Sequence, residues 1–263
     1  MGFLTSIIFI LSYIAFFVLS IIYISPYFFL LWLVTSYILA FLVVIIFYLL
    51  NLPIVLKLKS THPYKTYLMS SLAAFLNRLY LNLKVEVIGL ENVPKEGPIV
   101  VYANHKSYTD AFALLPYFPR ALTLTPKKSA LKIPFLRLWL KAYNVFPINR
   151  EDPKETLKEL DNAVTTVKGG HAILLFPEGT IKNRMDGIVT EAKAGSFRLV
   201  KKADAGLLPI KYEGNDLVRK RWPLRSIRKI TIFPLIPHEN LKDLNTREIS
   251  QLFMDTINKK VLL

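Results

Sequence analysis

PIVVYANHKSYTDAFALLPYF, residues 98–118, changes texture at its seventh residue. Up to Asn104 it is a run of β-branched and apolar side chains, the signature of a short strand buried on both faces. From Ser107 onward the apolar residues return at helical spacing. A strand that ends in a polar corner and runs into a helix is the repeating unit of an α/β fold. The theme recurs in VEVIGLENVP (85–94), ALTLTPKK (121–128), NVFPINR (144–150), HAILLFPEG (171–179), AGLLPIKYEG (205–214) and KITIFPLIP (229–237). Between these lie stretches that read as helices: TYLMSSLAAFLNRLYLNL (66–83), KSALKIPFLRLWLKA (128–142), PKETLKELDNAVTTVKGG (153–170) and EAKAGSFRLVKKA (191–203). The fold class expected is α/β, a mixed central sheet covered by helices.

Upstream of residue 57 the chain is a different material. No Asp, Glu, Lys or Arg precedes Lys57, so the whole formal net charge of +15 belongs to the rest. Residues 4–24 and 28–50 are uncharged apolar runs, each long enough as a helix to cross a ~30 Å hydrocarbon layer. Ser25 and Pro26 mark a tight turn between them, and Asn51 and Pro53 read as a stop. The division expected is a hydrophobic membrane hairpin over 1–56 and a catalytic domain over 57–263. The hairpin either spans the bilayer or dips into one leaflet. A cleaved signal peptide fits poorly, because the amino end has no basic region and no small-residue cleavage site follows the first run. Lys57, Lys59 and Lys65 after the hairpin place the domain on the cytoplasmic face by the positive-inside rule.

A basic surface beside an apolar anchor attracts anionic lipid and acidic carrier proteins; no nucleic-acid-binding motif is present. The absence of cysteine excludes disulfides, thiolate zinc sites and cysteine nucleophiles. Attention then falls on the four histidines. His62 and His238 sit beside prolines, and His171 opens a strand after two glycines, so all three read as structural.

His105 is different. Active groups in open α/β sheets gather beyond the carboxyl ends of strands, and Asn104 and His105 close the strand 98–104 with Asp110 five residues past the histidine. A histidine is the side chain best poised to take a proton near neutral pH, and a carboxylate on its other ring nitrogen fixes the tautomer. Alone, such a pair is more often a cap beside a solvated neighbour. Two further strand ends carry polar corners, FPEGT (176–180) and FPINR (146–150). The second presents Arg150, whose planar fork suits a phosphate.

Together, in this order, the corners resemble the glycerolipid acyltransferase family, which includes the 1-acylglycerol-3-phosphate acyltransferases. The resemblance runs from about Val85 to Gly214. Asn104, His105, Ser107 and Asp110 match the first block of the family, Pro147, Ile148 and Arg150 the second, Phe176 through Thr180 the third, and LLPIKYEG (207–214) more loosely the fourth. It implies direct acyl transfer. His105, held by Asp110, deprotonates an acceptor hydroxyl that attacks an acyl thioester, with no acyl-enzyme, metal or cofactor. Asn104, Ser107, Arg150 and the turn of Glu178, Gly179 and Thr180 are implied on the acceptor side, with Lys127 and Lys128 adding positive charge. The donor implied is a thioester of acyl carrier protein or coenzyme A, and the acceptor a lysophospholipid supplied by the membrane.

The family carries an arginine directly after FPEGT, and here Ile181 stands in its place. Lys182 or Arg184 are the candidates to replace it, and Lys193 and Gly195 resemble a further family stretch in which Ala192 replaces an aromatic residue. The leading expectation is conversion of 1-acylglycerol 3-phosphate to phosphatidic acid. Acylation of another lysophospholipid or polar lipid, a thioesterase, and a non-catalytic membrane scaffold are the rivals. The cluster Arg219, Lys220, Arg221, Arg225, Arg228 and Lys229 reads first as a solvated face, with Trp222 and Pro223 suited to a membrane interface.

Overall fold

A computed structural model describes residues 2–181, 187–214 and 223–259. Lys182 and Arg184, and Arg219 through Trp222 of the basic cluster, lie outside the described residues.

Six strands form one sheet among the described residues: β1 (Leu83–Ile88), β2 (Ile99–Ala103), β3 (Leu122–Leu124), β4 (Ala172–Leu175), β5 (Gly206–Glu213) and β6 (Ser226–Ile232), in the spatial order β1-β6-β5-β2-β4-β3. Every neighbouring pair is parallel except β5 and β6. The carboxyl ends of β2, β3, β4 and β5 therefore share one edge of the sheet, and antiparallel β6 brings its amino end to that same edge.

The alternation of a strand explains the two cores. On β2, Ile99, Val101 and Ala103 face a cluster that includes Ala73 of α3 (Pro63–Phe75) and Ala113 and Leu114 of α4 (Asp110–Leu114). Val100 and Tyr102 face the other, with Leu160 and Ala163 of α6 (Pro153–Lys168), Leu199 of α7 (Arg198–Lys202), and Ile249, Phe253 and Ile257 of α8 (Thr246–Asn258). Helices on both faces are what a strand apolar on both sides requires.

The hairpin consists of α1 (Leu4–Tyr23) and α2 (Phe29–Lys57), joined by a turn over Pro26–Phe28 that Ser25 caps. Both helices are long and apolar enough to cross a membrane. A third cluster joins their lower halves to the domain: Phe9, Ala40, Val44, Tyr48, Leu52 and Val55 pack with Leu68 and Phe75 of α3 and with Trp139 and Ala142 of α5 (Pro134–Ala142).

Several expectations need correction. Helix α2 does not stop at Asn51 but runs through Pro53 to Lys57. Proline removes one backbone donor, and the burial of Leu52 and Val55 in the extra turns offsets it. Lys65 is not a free topology-setting charge: it is buried and donates to the Ala142 carbonyl at 2.7 Å, capping the carboxyl end of α5. The helix expected over 66–83 is α3 followed by a π turn, Leu76–Tyr80. NVFPINR is no strand of the sheet; it runs beside the exit of β3 through one isolated bridge, Lys127 to Ile148. Helix α8 had no counterpart in the sequence reading.

His171 lies at the amino end of β4, the sheet edge away from His105, and its imidazole is buried. Burial first, then the charges of Arg120 and Lys65, hold its pKa at about 4, below the ordinary value of about 6.5. A depressed pKa means that the unfolded chain binds the proton first. Stability is thus complete above about pH 6.5 and falls by about 3 kcal/mol as pH drops to about 4. Thermal unfolding across that interval is expected to show this slope in the parent and a shallower one in His171→Leu.

Candidate active site

The loop after β2 turns sharply and returns Asp110, the first residue of α4, beneath His105. Asp110 Oδ2 lies 3.2 Å from His105 Nδ1 and accepts the backbone N–H groups of Lys106 and Ser107, each at 2.8 Å. Three interactions on one oxygen fix the carboxylate, and a fixed carboxylate fixes the ring and its tautomer, with the proton on Nδ1. The Phe176 ring stacks on the imidazole, centroids 4.2 Å apart. Nε2 makes no hydrogen bond among the described residues, which leaves it to take a proton.

The second oxygen of Asp110 has a partner that sequence reasoning missed. Arg228 Nη1 donates to Asp110 Oδ1 at 3.1 Å and to Thr109 Oγ1 at 2.9 Å. Arginine and aspartate are both 0% exposed, so Arg228 belongs to no solvated face. Antiparallel β6 places it there, since its amino end lies beside the carboxyl end of β5, next to that of β2. Tyr212 is buried beside the pair, and burial with the Asp110 charge pushes its hydroxyl well above the usual range, so it stays protonated.

Glu178 is buried in the turn after β4, and the structure points it inward. Its Oε1 accepts the His105 backbone N–H at 2.6 Å, and its Oε2 lies 3.4 Å from the buried Lys106 ammonium, which also donates to the Ile188 carbonyl. Burial pushes its carboxyl above the usual range, while the His105 N–H and the Lys106 charge pull it down. The geometry thus suits Glu178 to holding the His105 loop rather than meeting an acceptor. Asn104 is likewise internal, its amide exchanging hydrogen bonds with Tyr212 N and O and tying β2 to β5. Ser107 bonds Thr109.

The cations that the resemblance implies on the acceptor side lie two strands away. Segment 146–148 is laced to the exit of β3 by Ile148 N to Pro126 O at 2.8 Å and Lys128 N to Ile148 O at 3.0 Å. Lys128 pairs with Glu155, whose other oxygen accepts Asn149 Nδ2. Hydrogen bonds from Asn149 and Lys128 hold the Glu155 carboxyl below its usual range. Lys127 and Arg150 are exposed and pair with no carboxylate among the described residues. Gly179, at φ +69°, closes the FPEG turn, and a Cβ there would meet Lys193 Nζ at 3.0 Å. A lysine thus lies across the turn that carries Ile181, and Thr180 is exposed there. Adjacent strands stand ~4.8 Å apart, so His105 beyond β2 and Lys127 beyond β3 are separated laterally by ~10 Å, with the turn between them.

The model of the family described as Acyltransferase matches residues 84–213, a span containing His105, Asp110, Arg150 and the FPEG turn. This half of the chain belongs to the acyltransferase family. It is 32% identical over 134 residues to the 1-acyl-sn-glycerol-3-phosphate acyltransferase of Saccharomyces cerevisiae, covering 51% of this chain and 44% of that one. With the protein of the same name from Borreliella burgdorferi it shares 28% over 182 residues, 68% of this chain and 72% of that one. It thus spans from under half to about three quarters of the length of these acyltransferase relatives. The crystal structure of the 1-acyl-sn-glycerophosphate (LPA) acyltransferase from Thermotoga maritima superposes with a TM-score of 0.61 over 96% of this chain and 94% of that one, at 19% identity. At that identity the likeness shows the fold alone.

Proposed function

We propose that the protein transfers a fatty acyl chain from a thioester carrier to the sn-2 hydroxyl of 1-acylglycerol 3-phosphate, forming phosphatidic acid. The observation that carries this reading is the line of groups along one sheet edge: a buried, carboxylate-oriented imidazole at one end, cations without a carboxylate partner among the described residues about two strands away, and the FPEG turn between. A glycerol phosphate laid along that line presents its hydroxyl to His105 Nε2 and its phosphate to Arg150, Lys127 and Lys193. His105 accepts the hydroxyl proton as the oxygen attacks the thioester carbonyl, and the imidazolium that forms faces Asp110. The acyl C–S bond breaks and the proton passes to the departing thiolate, so the products are the acylated lipid and the free carrier thiol. Lys193, poised over Gly179, offers at this turn the charge that Ile181 lacks. Acylation of a different lysophospholipid is the alternative acceptor reading, and Ile181 is the observation that favours it.

The donor on this reading is an acyl carrier protein or coenzyme A thioester arriving from water, while the acceptor arrives from the bilayer. Past Tyr13, which is partly buried against the third cluster, no residue of α1 packs on that core, so residues 14–23 extend beyond it for about 15 Å at ~1.5 Å per residue. That is short of a ~30 Å hydrocarbon core, which favours a hairpin dipping into one leaflet. Exposed Lys57 and Lys59 favour placing the domain on the cytoplasmic face.

Two results test this. Thioester cleavage by purified protein in mixed micelles is expected to require added lysophospholipid; release at the full rate without it would make the protein a thioesterase. Arg150→Ala is expected to raise the apparent KM for lysophosphatidic acid about tenfold, the loss of one charged hydrogen bond, with kcat nearly unchanged. Parent-like kinetics would remove Arg150 from the acceptor site.

A further inference from the structure

Helix α5, PFLRLWLKA, has more apolar surface than the domain covers. At 100° per residue, Leu138, Ala142, Phe135, Trp139, Leu136 and Leu140 occupy an arc of about 200°, with Arg137 and Lys141 opposite. Only Trp139 and Ala142, in the middle of that arc, are buried; Trp139 packs edge-on against Tyr48 of α2. The flanks stay in the open: Phe135 is 41%, Leu136 37% and Leu138 44% exposed, and Ile133 just before the helix 54%. Helix α2, which packs on α5 through Tyr48, itself exposes Leu49, Leu50, Ile54 and Leu56. Lys132, Arg137 and Lys141 are exposed and form no ion pair among the described residues.

We propose that α5 is a second membrane contact, lying in the headgroup layer of an anionic bilayer with Ile133, Phe135, Leu136 and Leu138 at the boundary of the acyl chains and its basic residues on lipid phosphates. Amphipathic helices with this division of apolar and basic residues bury their apolar face about 5–10 Å into that boundary, and long basic side chains keep their charge at the headgroups. Continuity with α2 gives the reason for choosing lipid as the occupant, and this rests on reading the hairpin as membrane-bound. The consequence is positional. Lys127 and Lys128 lead into α5, and Ile148 to Arg150 follow it, so the depth of α5 sets the height of the phosphate-binding corner above the headgroups. A lysophospholipid then reaches His105 without leaving the bilayer.

A chain without cysteine allows single labels. A bimane probe on Leu138→Cys or Phe135→Cys, both exposed positions that leave the core intact, is compared in the full-length protein with Ile14→Cys on the hairpin and Lys158→Cys on α6. The protein is reconstituted in phosphatidylglycerol-rich vesicles carrying shallow doxyl lipids. Quenching at Leu138 is expected to be roughly threefold that at Lys158, with matching protection from aqueous iodide, and weaker in phosphatidylcholine vesicles. A Leu138 label as open to iodide as Lys158, while Ile14 is quenched by lipid, overturns the proposal and leaves the hairpin reading standing. Shielding of Leu138 only when acyl carrier protein is added overturns it in favour of a protein partner. Equal quenching in the two lipids overturns its anionic part, and an aqueous Ile14 label takes down both readings.

Discussion

Replacing His105 with alanine is expected to lower acyl transfer by about 10²- to 10⁴-fold, the range that a positioned general base supplies. The loss should fall on kcat, because in the proposed mechanism the imidazole acts on the acceptor proton in the transition state and the proposed phosphate contacts lie at the far end of the line. The fold should survive, since the ring stands at the mouth of the loop and the contact it gives up is with Phe176 and Asp110. Initial rates at saturating lysophospholipid, with thermal unfolding alongside, separate the two effects. A stable His105→Ala protein with the parental rate would remove the imidazole from the chemistry.

Arg228→Met is expected to be the most destabilising change of a single polar residue. It leaves one oxygen of a fully buried Asp110 without its charged partner, and breaking a buried pair from one side costs about 3–5 kcal/mol. Catalysis should fall with it, because an Asp110 that moves to find water no longer holds Nδ1. Two companions distinguish a positioning role from plain damage. Arg228→Lys keeps the charge and is expected to recover part of both stability and rate. The double variant Arg228→Met with Asp110→Asn removes both charges, so it should lose less stability than the two single changes summed, while its rate stays as low as that of Asp110→Asn. A double variant with parental activity would show that the pair serves folding alone.

These two residues also show where the sequence was readable. His105 and Asp110 were visible because they follow a strand end and lie five residues apart in the chain. Arg228 lies 118 residues from Asp110 and was grouped with its basic neighbours. Its phase gave a usable signal: in SIRKITI the buried residues are Ser226, Arg228, Ile230 and Ile232, with Thr231 also buried, so Arg228 is in register with the inward-facing isoleucines. Taken from Lys229, as KITIFPLIP, the strand does not display that phase. Helix α8 was missed although Asn245 and Glu248 form a capping box and Ile249, Phe253 and Ile257 recur every four residues. The remaining differences arise from tertiary contacts that pattern does not carry. Pro53 reads as a stop, but packing against α3 and α5 carries α2 past it. Glu178 reads as a polar corner residue, but the turn directs it to the His105 N–H. Lys65 reads as a loop charge and ends as a helix cap.

The proposed function has the imidazole and the cations along one sheet edge act on a single acceptor, the hydroxyl of a lysophosphatidic acid. Its most direct test is transfer of a radiolabelled acyl group from a carrier thioester by the purified protein, with lysophosphatidic acid and lysolipids of other headgroups offered side by side in mixed micelles. Labelled phosphatidic acid as the dominant product is the predicted result. Transfer confined to a lysolipid without a terminal phosphate would contradict the assignment of Arg150, Lys127 and Lys193, and with it the substrate.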